Sequence, residues 1–343
     1  MYEINTQPIY MQLKTLLQEK IQSGVYPVGA CLPSERCLED MYNVSRISVR
    51  RTLECLIEEG YIEKSTGRRS IVKQTGPGLV RNMAFVTLLS RDALLDVYRM
   101  SYEAMLMKCN SCGVNLYYVD VSRPLPAFLK KIKFETIFIS GYVNEVSHFR
   151  EIINENVRLI ALDHIFPDHQ FATVCTDNYR GGQTSAEYLI GRGRKKLLFL
   201  GVAPAYEPYP PFEERKQGFL EAARRAEVEC SVLDVSDGAL EKIKTELTEY
   251  LHDHEIDAVF AFNDHVAFCA LKTLAAMGLK VPDEIAVMGF DGLEIGNFFS
   301  PSLTTAAQPV IAIVRQAFDL AMMRTFTIDT HKIPVQIIQR EST

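Results

Sequence analysis

Tryptophan is absent from the 343 residues, histidine occurs seven times, and no uninterrupted apolar run approaches the roughly 20 residues of a membrane span. The start, MYEINTQPIYMQLKTLL, lacks a basic segment followed by an apolar one, so no export signal is expected and the location is read as cytoplasmic, with no membrane partner. Eight cysteines are scattered, and the one close pair, Cys109 and Cys112 in MKCNSCG, lacks the second CxxC or following His pair that would complete a zinc site. Reduced structural thiols are the expectation. His252 and His254 in HDHEID lie two apart, which on a helix points them away from each other. Neither a metal nor a cofactor is expected. Also missing are G-x-S-x-G, H-E-x-x-H and the Gly-Lys-Ser/Thr end of a P-loop, and GRGRKK lacks the third glycine of a dinucleotide fingerprint. The carboxylates and histidines form no acid, base and nucleophile set, so the chain is not read as an enzyme.

What is there is a chain 47% apolar and long enough for two domains or more. Its net charge of −6 argues by itself against a nucleic-acid partner. The distribution argues otherwise. Residues 1–75 hold ten Lys or Arg against nine Asp or Glu, and the rest holds 27 against 34. A near-neutral head on an acidic body is compatible with DNA binding through the head alone.

In the head, Ile9, Leu13, Leu16, Leu17 and Ile21 recur at helical spacing and predict a helix over 8–22. Ser34 is the expected N-cap of a second helix with Leu38, Met41 and Tyr42 inward, closed by Asn43. Ser45 would cap a third, burying Val49, Leu53, Leu56 and Ile57 and stopped by Gly60. Two β-like runs, 61–64 and 70–73, flank a basic tip at Gly67, Arg68 and Arg69. These are the parts of a winged helix-turn-helix. The third helix carries its charges backwards: Arg46, Arg50 and Arg51 crowd the positive end, and Glu54, Glu58 and Glu59 the negative one. A free helix prefers the reverse by about 0.3–1 kcal/mol per charge. Against a phosphate backbone the placement becomes favourable, because helix N-termini and arginines both attract phosphate. The plainer alternative is a surface helix whose arginines pair with Glu54 and Glu58.

From Pro8 to Val72, PIYMQLKTLLQEKIQSGVYPVG, LPSER and VSRISVRRTLECLIEEGYIEKSTGRRSIV resemble, in order and spacing, the DNA-binding domain of the GntR family of bacterial transcription regulators. The resemblance implies DNA contacts by Arg36, Arg46 and Arg50, backbone or base contacts around Ser45 and Ser48, and approach of Gly67 to the minor groove. Arg51 stands where that family often has another residue, and is expected to add one phosphate contact.

QTGPGLVRN, 74–82, carries linker composition. Beyond it, the apolar runs AFVTLL, VNLYYVD, ETIFIS, RLIALD, KKLLFLG, DAVFAF and EIAVMGF alternate with segments of helical length, which predicts doubly wound parallel sheets. Ligands bind at the carboxyl ends of such strands, which selects Ser90, Asp92, Asp163, His164, Asp177, Asn178, Asn263, Asp264, Asp291 and Gly292, with Asn178 and Asp264 read as helix caps. This segment resembles the effector domain of the LacI family, built like periplasmic sugar-binding proteins. The resemblance rests on TDNYRGGQTSAEYLIGRGRKKLLFLG, EERKQGF, DAVFAFNDHVAFCALKTLAAMGLKVPDEIAVMGFD and FFSPSLTTAAQP, with Arg194 in place of that family's usual His.

The expected fold is therefore α/β: a winged helix-turn-helix over 1–75, a linker over 76–82, and a two-lobed domain over 83–343. Lobe 1 would take about 83–164 and 309–326, and lobe 2 about 165–308 and 333–343, with crossovers near 164–171, 308 and 327–332. By the resemblance, Arg215, Asn263, Asp291 and Gln308 would hydrogen-bond an effector between the lobes, with Asp163, His164 and Asp92 on the first-lobe side. Tyr206, Tyr209 and Phe212, in APAYEPYPPFEER, either offer aromatic faces for a sugar or belong to a Pro-rich surface loop. The function this implies is a ligand-responsive transcriptional regulator, a repressor of carbohydrate-utilisation genes. It would bind palindromic double-stranded operator DNA as a homodimer and respond to a sugar or sugar derivative. The alternatives are a sugar-binding protein of another role, or an activator.

Overall fold

A computed structural model describes residues 8–22, 25–64, 70–73, 81–87, 95–120, 126–141, 150–154, 156–162, 171–203, 210–323 and 325–343. The chain divides into two compact units, Met1–Asn82 with Cys109–Asn115, and Met83–Lys108 with Leu116–Thr343.

In the first unit three helices, α1 (Ile9–Gln22), α2 (Glu35–Tyr42) and α3 (Arg46–Glu58), precede an antiparallel pair, β1 (Ile62–Lys64) and β2 (Ser70–Val72). Leu13, Leu17 and Ile21 of α1 meet Leu38 of α2 and Val49, Leu53 and Leu56 of α3 in one buried cluster, which Tyr61, Ile62 and Val72 close from the hairpin. Ser34 caps α2 by accepting from the Cys37 N–H, and Asn43 ends it in the left-handed region at φ 50°. A carboxylate at the far end of α3 ties the helices together: Glu59 accepts from Lys14 and from Gln18, both at 2.6 Å. Met41, expected inward, is 52% exposed, because Leu38 and the half-buried Tyr42 already fill the inner face of a helix only two turns long.

The second unit holds two six-stranded sheets. The first, in spatial order, comprises β13 (Thr330–Ile333), β7 (Ala172–Thr176), β6 (Arg158–Ala161), β5 (Thr136–Ser140), β3 (Asn82–Thr87) and β4 (Asn115–Asp120). The second comprises β14 (Gln336–Ile338), β12 (Thr304–Ala307), β11 (Ala286–Asp291), β10 (Ala258–Ala261), β8 (Lys196–Val202) and β9 (Glu229–Val235). Within the second sheet β14 alone runs antiparallel to its neighbour. Every residue of β5, β7 and β10 is buried, as expected of parallel strands covered on both faces. The covering helices include α5 (Asn178–Gly191), α6 (Pro210–Arg225), α7 (Leu240–Asp253) and α8 (Asp264–Ala276) around the second sheet, and α9 (Val310–Met322) against β6 and β7.

The lobe boundaries differ from expectation. β7 pairs with β6 and with β13, so the chain leaves the first sheet after Thr176 rather than near 164–171. β13 itself belongs to the first sheet, which moves the last crossover from 327–332 to the two residues between Ile333 and Gln336. The physical reason is the composition of β7, ATVCT: two threonines interrupt its apolar character, yet all five residues are buried in the ladder. The expected linker ends one residue early, since Asn82 opens β3, and its residues 76–80 lie outside the described residues. Arg194 donates to the Pro282 carbonyl at 2.6 Å, a structural tie.

Candidate functional site

In the head, Ser45 accepts from the Ser48 N–H at 3.2 Å and its hydroxyl lies 3.0 Å from that of Ser48, which closes the N-terminus of α3. No acidic residue occupies the first turn and no basic residue the last. Arg46 and Arg50 are both more than half exposed, and both donate from Nε to one oxygen of Glu35, at 3.4 and 3.0 Å. Their partner is thus on the first turn of α2, not Glu54 or Glu58. The hydrogen bond from Arg50, followed by that from Arg46, holds the Glu35 carboxyl below its ordinary value, against the opposing effect of its slight burial. Arg51 follows the plainer pairing, 3.8 Å from Glu54. Arg36 is exposed beside Glu35. The starts of α2 and α3 are thereby linked through Glu35, with Arg46 and Arg50 exposed at the start of α3 and Arg36 exposed at the start of α2. Gly67, Arg68 and Arg69 lie outside the described residues.

In the second unit, polar side chains gather at the carboxyl ends of the second sheet. Arg215 on α6 is 3% exposed and donates from Nε to Asn178 at 2.8 Å and from Nη1 to the Phe262 carbonyl at 2.8 Å. Its guanidinium lies 3.8 Å from the centroid of the Phe290 ring and 5.3 Å from that of Phe212. Two glycines bring it there. A Cβ on Gly182 of α5 would stand 2.0 Å from the Arg215 carbonyl oxygen, and one on Gly218 of α6 would stand 2.0 Å from that of Tyr179. The two helix backbones touch, and Arg215 is held against the first turn of α5.

Asp291, the last residue of β11, is 6% exposed, sits at φ 133° and lies 3.8 Å from Arg215 Nη1. Gln308 donates to it at 2.8 Å and accepts from the Thr176 hydroxyl at 2.8 Å, so a chain of hydrogen bonds runs from the end of β7 in one sheet to the end of β11 in the other. Burial pushes the Asp291 carboxyl up to about 7; Arg215 and Gln308 oppose that shift, and Asp264 adds to it. Burial likewise raises Asp264, which accepts from the N–H groups of Gly292 and Leu293 and from the Thr305 hydroxyl. Asp264 is therefore a brace for the turn after β11. The expected caps move by one residue, since Asn263 caps α8 by accepting from Val266 N–H and Asp177 caps α5 by accepting from Arg180 N–H. Asn178 is left free of that task and orients Arg215 instead.

Arg215, Asp291 and Gln308 thus come together, with Asn263 buried at the end of β10 and Phe212 edge-on to Phe262 at 4.6 Å between centroids. Asp92, Asp163, His164, Tyr206 and Tyr209 lie outside the described residues. Reading from the sequence took Asn178 for a helix cap and missed Thr176, and it also missed Thr87 and Ser140. These last two are register partners at the ends of β3 and β5, buried, and their hydroxyls find no hydrogen-bond partner among the described residues. The signal was position: each ends a strand on the side where ligands bind in such sheets. A buried arginine, carboxylate and amide in fixed geometry can bond neighbouring hydroxyls of a ligand through charge-assisted contacts. Among the described residues no group of His, Cys, Asp and Glu could hold a metal ion.

Residues 9–72 match the gntR family of bacterial regulatory proteins, and residues 186–343 match the periplasmic binding protein-like domain. The ribose operon repressor of Halalkalibacterium halodurans is 29% identical over 217 residues, 60% of this chain and 63% of that protein. The transcriptional repressor PurR of Vibrio vulnificus is 27% identical over 233 residues, 66% of each chain. The match thus spans less than two thirds of the ribose operon repressor's length. Among solved structures, a LacI-family transcriptional regulator from Enterococcus faecium with bound ribose superposes with a TM-score of 0.63 at 18% identity, covering 77% of this chain and 98% of that one. With three helices and a hairpin ahead of two sheets joined by three crossovers, the chain carries a domain matching the gntR family of bacterial regulatory proteins, followed by a periplasmic binding protein-like domain.

Proposed function

We propose that the chain is a ligand-responsive transcriptional repressor whose head binds operator DNA and whose two-lobed domain binds a small carbohydrate. The observation that carries this reading is the pairing, in one chain, of an exposed arginine surface at two helix starts with a buried Arg215–Asp291–Gln308 cluster at the strand ends. The first suits phosphate, which exchanges for Glu35 at small cost because surface ion pairs are worth about 0–1 kcal/mol. The second suits vicinal hydroxyls, and the relatives named for a ribose operon or solved with ribose support that class. The protein acts by binding rather than turnover, in the cytoplasm, as a homodimer on a palindromic site, since paired half-sites mirror a protein two-fold. Arg36, Ser45, Arg46, Ser48, Arg50 and Arg51 take the DNA; Arg215, Asn263, Asp291, Gln308 and Phe212 take the effector, with Thr87 and Ser140 added from the first sheet. Effector action requires only that the ligand bind the DNA-competent and incompetent states unequally.

A thermal-shift screen of the full chain against pentoses, hexoses and their phosphates tests the sensing half. At about a hundred times its dissociation constant a true effector stabilises its domain by about 2.7 kcal/mol. The same compound must alter retention of duplexes selected from a random-sequence pool. A panel without any shift removes the carbohydrate assignment, and a pool without enrichment removes the operator assignment.

A further inference from the structure

Ile47 is 81% exposed on the outer face of α3, where a large apolar side chain finds little to pack against among the described residues of the head. Val49, Thr52, Leu53 and Leu56 form the inner face of the helix, and Ile47 lies on the opposite stripe with Arg50 and Arg51 three and four residues on. As a β-branched residue it also lowers the helix's own stability slightly. Isoleucine here contributes nothing that alanine would not contribute better to the isolated domain, so its gain has to come from something that arrives.

The surroundings name the visitor. Arg46 and Arg50 stand on either side of Ile47 in the sequence of α3, each more than half exposed and, among the described residues, ion-paired only with the shared Glu35. A short, stiff apolar group framed by long cationic ones suits a polyanion with an apolar spot recessed between its charges. In duplex DNA the phosphates lie outward and the floor of the major groove carries one apolar group, the C5-methyl of thymine. Arginines at this helix start reach phosphate, while a side chain from its second residue, within the first turn, reaches base edges.

We infer that Ile47 reads sequence by packing on a thymine methyl in the major groove. The inference rests on the operator-binding reading above and adds a residue that neither the arginine pattern nor the family resemblance singles out. Arginines to phosphate fix position without selecting sequence, whereas Ile47 selects thymine at one position of each half-site.

The test uses the full-length protein and the duplex it enriches from a random-sequence pool, resynthesised with deoxyuridine replacing one thymidine at a time. This exchange deletes only the methyl group and leaves pairing intact. At one position per half-site the wild-type protein is expected to lose about three- to fivefold in affinity, what burial of a single methyl is worth. Ile47→Ala is expected to bind the all-thymine duplex as weakly as wild type binds the uracil duplex, with no further loss on exchange. Ile47→Val, which keeps a branched apolar end, is expected to retain most of the discrimination. Wild-type affinity indifferent to every exchange, or an alanine variant as sensitive as wild type, overturns the inference. So does an Ile47→Ala protein whose oligomeric state changes without DNA, since the residue would then face another chain. Arg46→Ala separates this failure from that of the operator reading: it weakens binding to all these duplexes alike if the head binds DNA through α3, whatever Ile47 does, and leaves them all unchanged if it does not.

Discussion

Arg50 and Arg215 are both arginines bonded through Nε within 3.0 Å of an oxygen, yet one is more than half exposed and the other 3% exposed. Around Arg50 water screens every charge, so its bond to Glu35 is cheap to break and the side chain is available to a phosphate. Arg215 has a carbonyl, an amide, a carboxylate and a ring set around it before any ligand arrives. The difference teaches how one residue type serves two tasks. A contact to be exchanged is left wet and loosely held, and a contact that must discriminate is desolvated and fixed.

The largest way to break this contrast is to remove one buried partner. Asp291→Ala leaves the Arg215 charge without its carboxylate and is expected to destabilise the second unit by about 3–5 kcal/mol in urea melts followed by circular dichroism. DNA retention by the first unit is expected to persist in the cold. A melt unchanged from wild type would show that Asp291 contributes to the ligand site alone. Gly182→Ala comes next. Its Cβ would overlap the Arg215 carbonyl, and overpacking of this kind costs about 1–3 kcal/mol. Displaced helices would also weaken any effector that shifts the wild-type melt.

A pH series sharpens the comparison. The Asp291 carboxyl is raised from its ordinary 3.8 to about 7 in the folded protein, so the folded state holds its proton more tightly than the unfolded chain. Its stabilising contribution is full below about pH 4 and is lost as pH rises towards 7. Urea melts of wild type minus those of Asp291→Asn are expected to slope downward across that window and to flatten above it. A flat difference would place the carboxylate in water.

The exposed site yields smaller effects. Arg46→Ala is expected to reduce the slope of log affinity against log salt by about one unit on any duplex. Glu35→Gln, which removes the charge that both arginines share, is expected to raise affinity for random DNA by no more than about fivefold, the value of a surface pair. Its effect is expected to shrink in high salt, and a loss of affinity would mean that Glu35 itself contacts DNA.

Local rules, where they governed, were legible from the chain. Ser34, Asn43 and Ser45 bound the head helices because capping is a property of a few neighbouring residues. The strands read in advance, β1, β2, β3, β4, β5, β6, β8, β10 and β11, are rich in Val, Ile, Leu and Phe or bounded by clear turns. β7, β9, β12, β13 and β14 went unread, since ATVCT, ECSVLDV, TTAA, THKI and QII gain strand character from the neighbours that pair with them.

By itself, then, the sequence determined the helix starts, the reversed charges of α3 and the alternating strand and helix segments, all of which depend on spacings of a few residues. Only the tertiary structure decided which carboxylate Arg46 and Arg50 hold, that Asn178 turns inward to Arg215, and that Thr176, Gln308 and Asp291 form one chain of bonds across the sheets. Gln308 lies 132 residues from Thr176 and 17 from Asp291. Such partners meet because parallel strands bring distant residues to one edge and because glycines let α5 and α6 touch, and no local pattern records either.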